Sequence, residues 1–265
     1  MHAIILAVGR EILRGRVHDS NSWTLARRLT GLACEVLRTV SCDDDLVAIV
    51  REIRRAQEDG AGLLITTGGL GPTEDDLTLR ALAEAVGRPL ALDAEASRLV
   101  AARYAELQRT GAVEDASMTP TREKMAWIPS GARPLPNPVG AAPGVWLEEG
   151  GVIYVALPGV PAEMAAILEA SVLPALAPRL GGAVFLERSL RTAARDESVV
   201  ASVLHRLGRS FPQVFLKSHA TRFGVDICME VFASTWAPDR TTAEARLAGA
   251  LASVGEALGH APSEA

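Results

Sequence analysis

Aromatic residues make up only 4% of this chain of 265 residues, and no stripe of Lys and Arg runs along any part of it. Together these scarcities exclude a nucleic-acid surface, because single-strand binders stack bases on aromatic rings and phosphate backbones require clustered cations. The formal net charge of −5 and the isoelectric point near 5.6 point the same way. Arg51, Arg54 and Arg55 are interspersed with acidic residues and read as a solvated helix face. Cysteine is scarce too. Cys34, Cys42 and Cys228 are odd in number and lack C-x-x-C spacing, so neither a disulfide framework nor a zinc site is indicated, and a reducing cytoplasm fits. Nowhere do 18 apolar residues run together, which excludes a membrane-spanning helix. The run Ala3 to Val8 is too short for a signal peptide and is followed at once by Arg10 and Glu11. A cytoplasmic protein with no nucleic-acid and no membrane partner is expected.

What is present is apolar bulk and glycine. A hydrophobic content of 48% over this length allows one large core and a second, smaller one, hence two domains. The stretch that organises the rest is TTGGLGPTEDDLT, Thr66 to Thr78. It follows the apolar run Gly62 to Ile65, which reads as a buried strand, and leads into Leu79, Leu82, Ala83 and Val86, which share one helical face. Gly68, Gly69 and Gly71 let the backbone take positive φ and approach a ligand, and Pro72 is expected to fix the start of the helix. Such a turn can present amides to a phosphate. Equally, it can be a plain βα turn in which Thr73 caps the helix and Asp76 closes a capping box. The acidic triplet Glu74, Asp75, Asp76, placed in the first helical turn, decides between the two, since it would repel a phosphate unless a divalent cation lay between them. A phosphate cradle with a metal-binding carboxylate pair is therefore expected.

Elsewhere, apolar strands alternate with amphipathic helices: Ala3 to Val8, then a helix after Asp19 or Ser20 with Trp23, Ala26 and Leu29 buried, then Val36 to Val40, then a helix from Asp45 carrying Leu46, Ile49, Val50 and Ile53. That alternation describes a mostly parallel sheet covered on both faces, whose ligands sit at the carboxyl ends of the strands. Glu11 and Asn21 follow the first strand and the glycine turn follows the third, so both are expected at one crevice. Further on come a helix from Asp93 to Thr110, with Leu99, Val100, Tyr104 and Leu107 on one side, and a short helix from Thr119-Pro120 carrying Arg122 and Lys124. In the proline-glycine stretch Pro136 to Gly144, Asn137 is the polar handle. The strand Val152 to Leu157 ends in a second such turn, Pro158-Gly159-Val160-Pro161, before a helix from Glu163 to about Leu176. After Gly181-Gly182 the pattern becomes a small α+β unit: strands Phe185 to Leu190, Val214 to Leu216 and Val225 to Phe232, helices Glu197 to Leu207 and Thr241 to Leu258. The divisions expected are 1–180, 181–258 and a tail 259–265.

Taken in order, VGREILRGRVHDSN, TTGGLGPTEDDLT, PNPVGAAPGV and LPGVPAEM resemble the CinA family, whose amino-terminal domain is related to the MoaB and Mog molybdopterin-binding domains. The resemblance runs from the amino terminus to about Leu176, and RTAARDESVV and LKSHATRFGVDICMEV are similar to the small domain that follows in that family. It implies a three-layer α/β domain, an ADP-ribose pyrophosphatase activated by a divalent metal (magnesium or cobalt) or, as in Mog-type domains, molybdopterin binding and adenylylation. A non-catalytic nucleotide-binding module is a third reading. A homo-oligomer is expected. Nothing in the chain matches the family's separate nicotinamide mononucleotide deamidase domain, so no deamidase activity is expected. Carried over, the resemblance gives Gly68, Gly69, Gly71 and Thr73 to phosphate, Asp75 and Asp76 to metal and catalysis, with Glu11 as a further catalytic group. Asn21, Arg10, Lys124, Asn137, Gly140, Gly159, Pro161 and Glu163 complete the expected ligand site. Arg10 and Ala141 depart from the family pattern, which has a small polar or acidic residue and a Thr or Ser there. Arg10 is expected either to pair with Glu11 or Asp19 or to hold a ligand phosphate.

Overall fold

The structure, a computed structural model, describes residues 1–222 and 228–260. In chain order the first unit runs β1 (His2–Val8), α1 (Arg10–Leu13), α2 (Ser20–Gly31), β2 (Glu35–Cys42), α3 (Leu46–Glu58), β3 (Leu63–Thr67), α4 (Thr78–Val86), β4 (Leu90–Leu92) and α5 (Ala94–Arg109). It continues with α6 (Pro120–Glu123), β5 (Trp127–Pro129), β6 (Arg133–Leu135), β7 (Gly144–Glu149), β8 (Val152–Leu157), α7 (Pro161–Ile167) and α8 (Leu173–Leu176). A six-stranded sheet has the order β2-β1-β3-β8-β7-β6, in which β2, β1, β3 and β8 are parallel and β7 and β6 antiparallel. A mostly parallel sheet flanked by helices is thus the fold expected from the alternating pattern.

The parallel strands are where they are because their residues leave no face for water. All five residues of β3 and six of the seven in β1 are buried, and each fully buried Leu or Ile contributes about 1.5–3 kcal/mol. Strand β2 lies at the edge and alternates, with Val40 and Cys42 packed inward. On one side of the sheet Ile4, Leu6 and Val8 pack with Ile49 and Ile53 of α3 and Leu82 of α4.

Three expectations need correction. The helix after Asp19 is present, with Asp19 Oδ1 accepting from Ser22 N, but Trp23 is 59% exposed beneath the Arg27 guanidinium. The buried face is Asn21, Ser22, Leu25 and Leu29, because Asn21 reaches inward to bond the sheet and sets the phase of the helix. The segment Gly9 to Gly15, expected to be a loop between the first strand and the helix after Asp19, contains the short helix α1. Strands β4 to β7 were absent from the sequence reading; three of the four are only three residues long and two contain proline.

The second compact unit begins at Leu180 and takes in Gly31–Ala33. It contains β9 (Val184–Thr192), α9 (Glu197–Ser210), β10 (Phe215–Arg222), β11 (Cys228–Ala237) and α10 (Arg240–Leu258), with an antiparallel sheet in the order β10-β11-β9. The part of the expected third strand before Cys228, residues 225–227, and residues 261–265 of the expected tail lie outside the described residues. Among the described residues no helix is long and apolar enough to cross a membrane.

Candidate functional site

Parallel strands present their carboxyl ends on one side, and here the ends of β1, β3 and β8 meet through glycine. Gly68 has φ +99° and Gly69 φ +69°, and a Cβ on Gly68 would strike the Val8 carbonyl oxygen at the end of β1. A Cβ on Gly159, in the turn after β8, would lie 3.3 Å from Gly68 Cα. The two glycine turns therefore abut, as the repeated strand-to-turn pattern implied. Gly68 N donates to Leu157 O at 3.0 Å, whereas the amides of Gly69, Leu70 and Gly71 donate to no acceptor among the described residues. Gly69 through Gly71 line a cleft of about 610 Å³.

Helix α4 begins later than its sequence suggests. Thr78 Oγ1 donates to Gly68 O at 2.8 Å and Thr78 N to Gly69 O at 3.2 Å, so the helix starts from the glycine turn itself. Pro72 and the acidic triplet consequently stand in the loop and not in a first helical turn. The expected Thr73 and Asp76 box forms there as a closed loop: Thr73 N donates to Asp76 Oδ2 at 2.8 Å and Asp76 N to Thr73 O at 3.2 Å. Thr73 Oγ1 is within hydrogen-bond distance of both Asp75 Oδ1 and Asp76 Oδ2. That hydroxyl is the main reason the Asp75 carboxyl is held below the ordinary carboxylate range, with its own backbone, Lys124 and Arg10 adding to it.

Five carboxylates line the cleft, those of Glu11, Asp44, Asp75, Asp76 and Glu163, and no Lys or Arg does. Thr73 and Gly159 belong to the same wall. Other expected ligand residues lie behind it. Asn21, 7% exposed, donates from Nδ2 to Thr67 Oγ1 at 2.9 Å and to Gly159 O at 2.8 Å, while Thr67 Oγ1 donates to Pro158 O. It ties the end of β3 to the turn after β8. Asn137 donates to Ala142 O and to Glu163 Oε2 at 2.7 Å and accepts from the amides of Val139 and Gly140, so its amide is spent on its own turn. A Cβ on Gly140 would run into the Glu163 carboxyl, and Pro161 is the first residue of α7.

Lys124 also stands behind the glycine loop. Its ammonium donates to Thr73 O and to Asp76 O, the latter at 2.8 Å, and it lines a second cavity of about 470 Å³ with Leu77 and Trp127. Burial lowers its pKa, against the opposing pull of Asp76, Asp75 and Glu74. A cation so placed braces the loop through its carbonyls. Lys124→Met is expected to keep the fold and to weaken pyrophosphate binding measured in magnesium about tenfold, the scale of one charge-assisted hydrogen bond. Calorimetry on the variant checks this, and wild-type affinity would show that the brace does nothing.

Arg10 pairs with neither Glu11 nor Asp19. Its Nε donates to Asp43 Oδ1 at 2.7 Å and its backbone N to Asp44 Oδ2 at 2.8 Å, and it does not line the cleft. It pairs with Asp43 because β2 delivers a run of three acids, Asp43 to Asp45, beside the start of α1. That run, at the carboxyl end of a parallel strand, was the missed signal for Asp44 in the cleft wall. Cys42, at the same strand end, is buried, which pushes its thiol up to about 12 and leaves it unreactive.

These oxygen donors fit a hard divalent cation. Among the described residues no group of three or more His, Cys, Asp or Glu is arranged to hold a metal ion. Magnesium is commonly held by one or two carboxylates with waters and ligand phosphates completing its shell, and Asp75 and Asp76, beside the amides of Gly69 to Gly71, are the two carboxylates that would suit it.

A sequence model of the family described as probable molybdopterin binding domain matches residues 4–178. A protein of Pyrobaculum calidifontis is 41% identical over 252 residues, covering 94% of this chain and 92% of its own length. One from Pyrococcus horikoshii is 39% identical over 231 residues, covering 87% and 89%. Among solved structures, the CinA protein of Thermoplasma acidophilum, of unknown function, superposes with a TM-score of 0.59 at 36% identity, over 68% of this chain and 99% of that one.

Proposed function

The chain belongs to the probable molybdopterin binding domain family and is CinA-like, and on that premise we propose that its first unit binds a diphosphate-bearing nucleotide such as ADP-ribose and hydrolyses it with a divalent cation. One observation carries this reading: a cleft with five carboxylates and no Lys or Arg surrounds a glycine turn whose amides 69 to 71 have no acceptor among the described residues. Amides without partners suit phosphate oxygens. The carboxylates around them would repel that phosphate, and a cation on Asp75 and Asp76 reconciles the two.

In this reading the amides of Gly69 to Gly71 orient the diphosphate. Glu11, exposed at the cleft wall, accepts the proton of the attacking water. A bond forms from the water oxygen to phosphorus, the bridging P–O bond breaks, and the leaving phosphate keeps its electron pair. Bound magnesium or cobalt would supply charge neutralisation to the diphosphate oxygens. A second reading follows from the family match alone: the same cradle takes the phosphate of molybdopterin, with or without its adenylylation. A homo-oligomer belongs to both readings and light scattering measures it.

The test incubates the protein with ADP-ribose, or with molybdopterin and ATP, each with magnesium, cobalt or EDTA. Release of AMP and ribose 5-phosphate only with metal is the expected result. Adenylylated molybdopterin without AMP release from ADP-ribose would move the assignment to the second reading, and absence of both products and of binding would overturn the cradle.

A further inference from the structure

Besides its carboxylates the cleft is lined by Tyr104 of α5 with Met125, Ala141 and Ala142. We propose that Tyr104, backed by Arg122, is the stacking platform for a fused heteroaromatic ring carried by the diphosphate ligand. This rests on the phosphate cradle proposed above and adds the residue that holds the ligand's ring.

The Arg122 guanidinium lies 3.8 Å from the centroid of the Tyr104 ring. It is held there on the other side as well, since its Nη1 donates to Ser117 O at 2.7 Å. A cation over one ring face fixes the plane of the ring and is itself stabilising. Arg122 covers one face of the ring and does not line the cleft, whereas Tyr104 does, and the ligand ring is assigned to the opposite face. Tyr104 is half-buried, packs on the cluster of Val100 and Met125, and its hydroxyl has no hydrogen-bond partner among the described residues.

In a chain with so few aromatics, Tyr104 is the one aromatic ring in this lining. The alanines beside it leave room for a flat group. A cleft that combines carboxylates and uncommitted amides with an aromatic and aliphatic lining can take a ligand of the same mixed character: diphosphate at the glycine turn, planar ring at Tyr104. Pocket chemistry of that kind fixes orientation by a few polar groups and gains affinity from the apolar lining.

The experiment measures binding calorimetrically in magnesium, with inorganic pyrophosphate, ADP and 6-hydroxymethylpterin diphosphate as probes. A ring-bearing probe should bind at least about tenfold more tightly than pyrophosphate, the scale of one stacked base. Whichever of ADP and the pterin gains more identifies the ring as purine or pterin. Tyr104→Leu, which retains apolar bulk, should remove that advantage and leave pyrophosphate affinity unchanged, and Tyr104→Phe should keep it. Equal weakening of all three probes by Tyr104→Leu, or no weakening of any, would overturn the platform. Pyrophosphate binding with no ring advantage would overturn Tyr104 alone. Failure of wild type to bind pyrophosphate would overturn the cradle and this inference with it.

Discussion

Asp75→Asn is expected to lower metal-dependent turnover of ADP-ribose about a thousandfold, the scale of several kcal/mol of lost charge stabilisation, while leaving thermal unfolding unchanged. The side chain is exposed in the cleft wall, and its side-chain partner is the Thr73 hydroxyl. Asparagine keeps the shape, accepts from the same hydroxyl and removes the charge. Asp76→Asn is different. Asp76 Oδ2 also closes the loop by accepting from Thr73 N, so its variant should lose activity and about 1 kcal/mol of stability together. Turnover against magnesium concentration, with calorimetric unfolding of both variants, separates the two roles. Normal turnover of Asp75→Asn at saturating magnesium would remove Asp75 from the metal site. The pH dependence has a definite sign. The Thr73 hydroxyl holds Asp75 below the ordinary carboxylate range, so this carboxylate stays charged where a free Asp, with pKa near 3.9, is half protonated. Cation binding through Asp75 therefore persists to about pH 4 and is lost as pH falls through the lower folded value.

The elements that bury both faces were legible in sequence, and so was the crevice they create. Strands β1, β3 and β8 announce themselves as short apolar runs each followed by a glycine-bearing turn, and the parallel arrangement puts those turns together. Polar residues beside the turns were harder to place. Asn21 was expected at the ligand because it follows the first strand, and Asn137 and Lys124 because they lie in or just before a proline-glycine stretch, yet tight turns expose carbonyls and amides of their own, and these three side chains are taken up by Gly159 O, Ala142 O, Thr73 O and Asp76 O. From sequence alone, a side chain that binds a turn and one that binds what the turn holds have the same signature. The reverse error concerns Asp44 and Tyr104. Asp44 carries no signal of its own beyond its place in the acidic run leading into the helix that starts at Asp45, Tyr104 shows only as one residue on one side of α5, and only their positions in three dimensions bring them to the cleft.

Gly68→Ala should cost the first unit roughly 3 kcal/mol or more, the largest stability loss among the glycine variants of the turn. Two penalties add. Gly68 has φ +99°, which an L residue rarely adopts, at about 1–3 kcal/mol. Its new Cβ would also meet the Val8 carbonyl, which belongs to the central strand β1 and cannot move aside, at a further 1–3 kcal/mol or so for overpacking. The hydrogen bonds at this point compound the effect, because Gly68 N holds Leu157 O and Gly68 O holds Thr78 Oγ1, linking β3 to the end of β8 and the start of α4. At about 2–4 °C per kcal/mol for a unit of this size, the unfolding midpoint should fall by roughly 10 °C. Gly71→Ala is the informative contrast. Its Cβ would meet the Asp76 carboxyl, Oδ2 nearest at 2.6 Å, and the φ of Gly71 is not positive. The fold should survive, while the displaced Asp76 carboxylate should weaken magnesium-dependent diphosphate binding. Tryptophan fluorescence follows the first unit selectively once Trp236, which lies in β11, is replaced by Phe. Gly68→Ala with a wild-type midpoint would mean that the ends of β1, β3 and β8 do not depend on this glycine to meet, and Gly71→Ala with wild-type affinity would detach Asp76 from the cation.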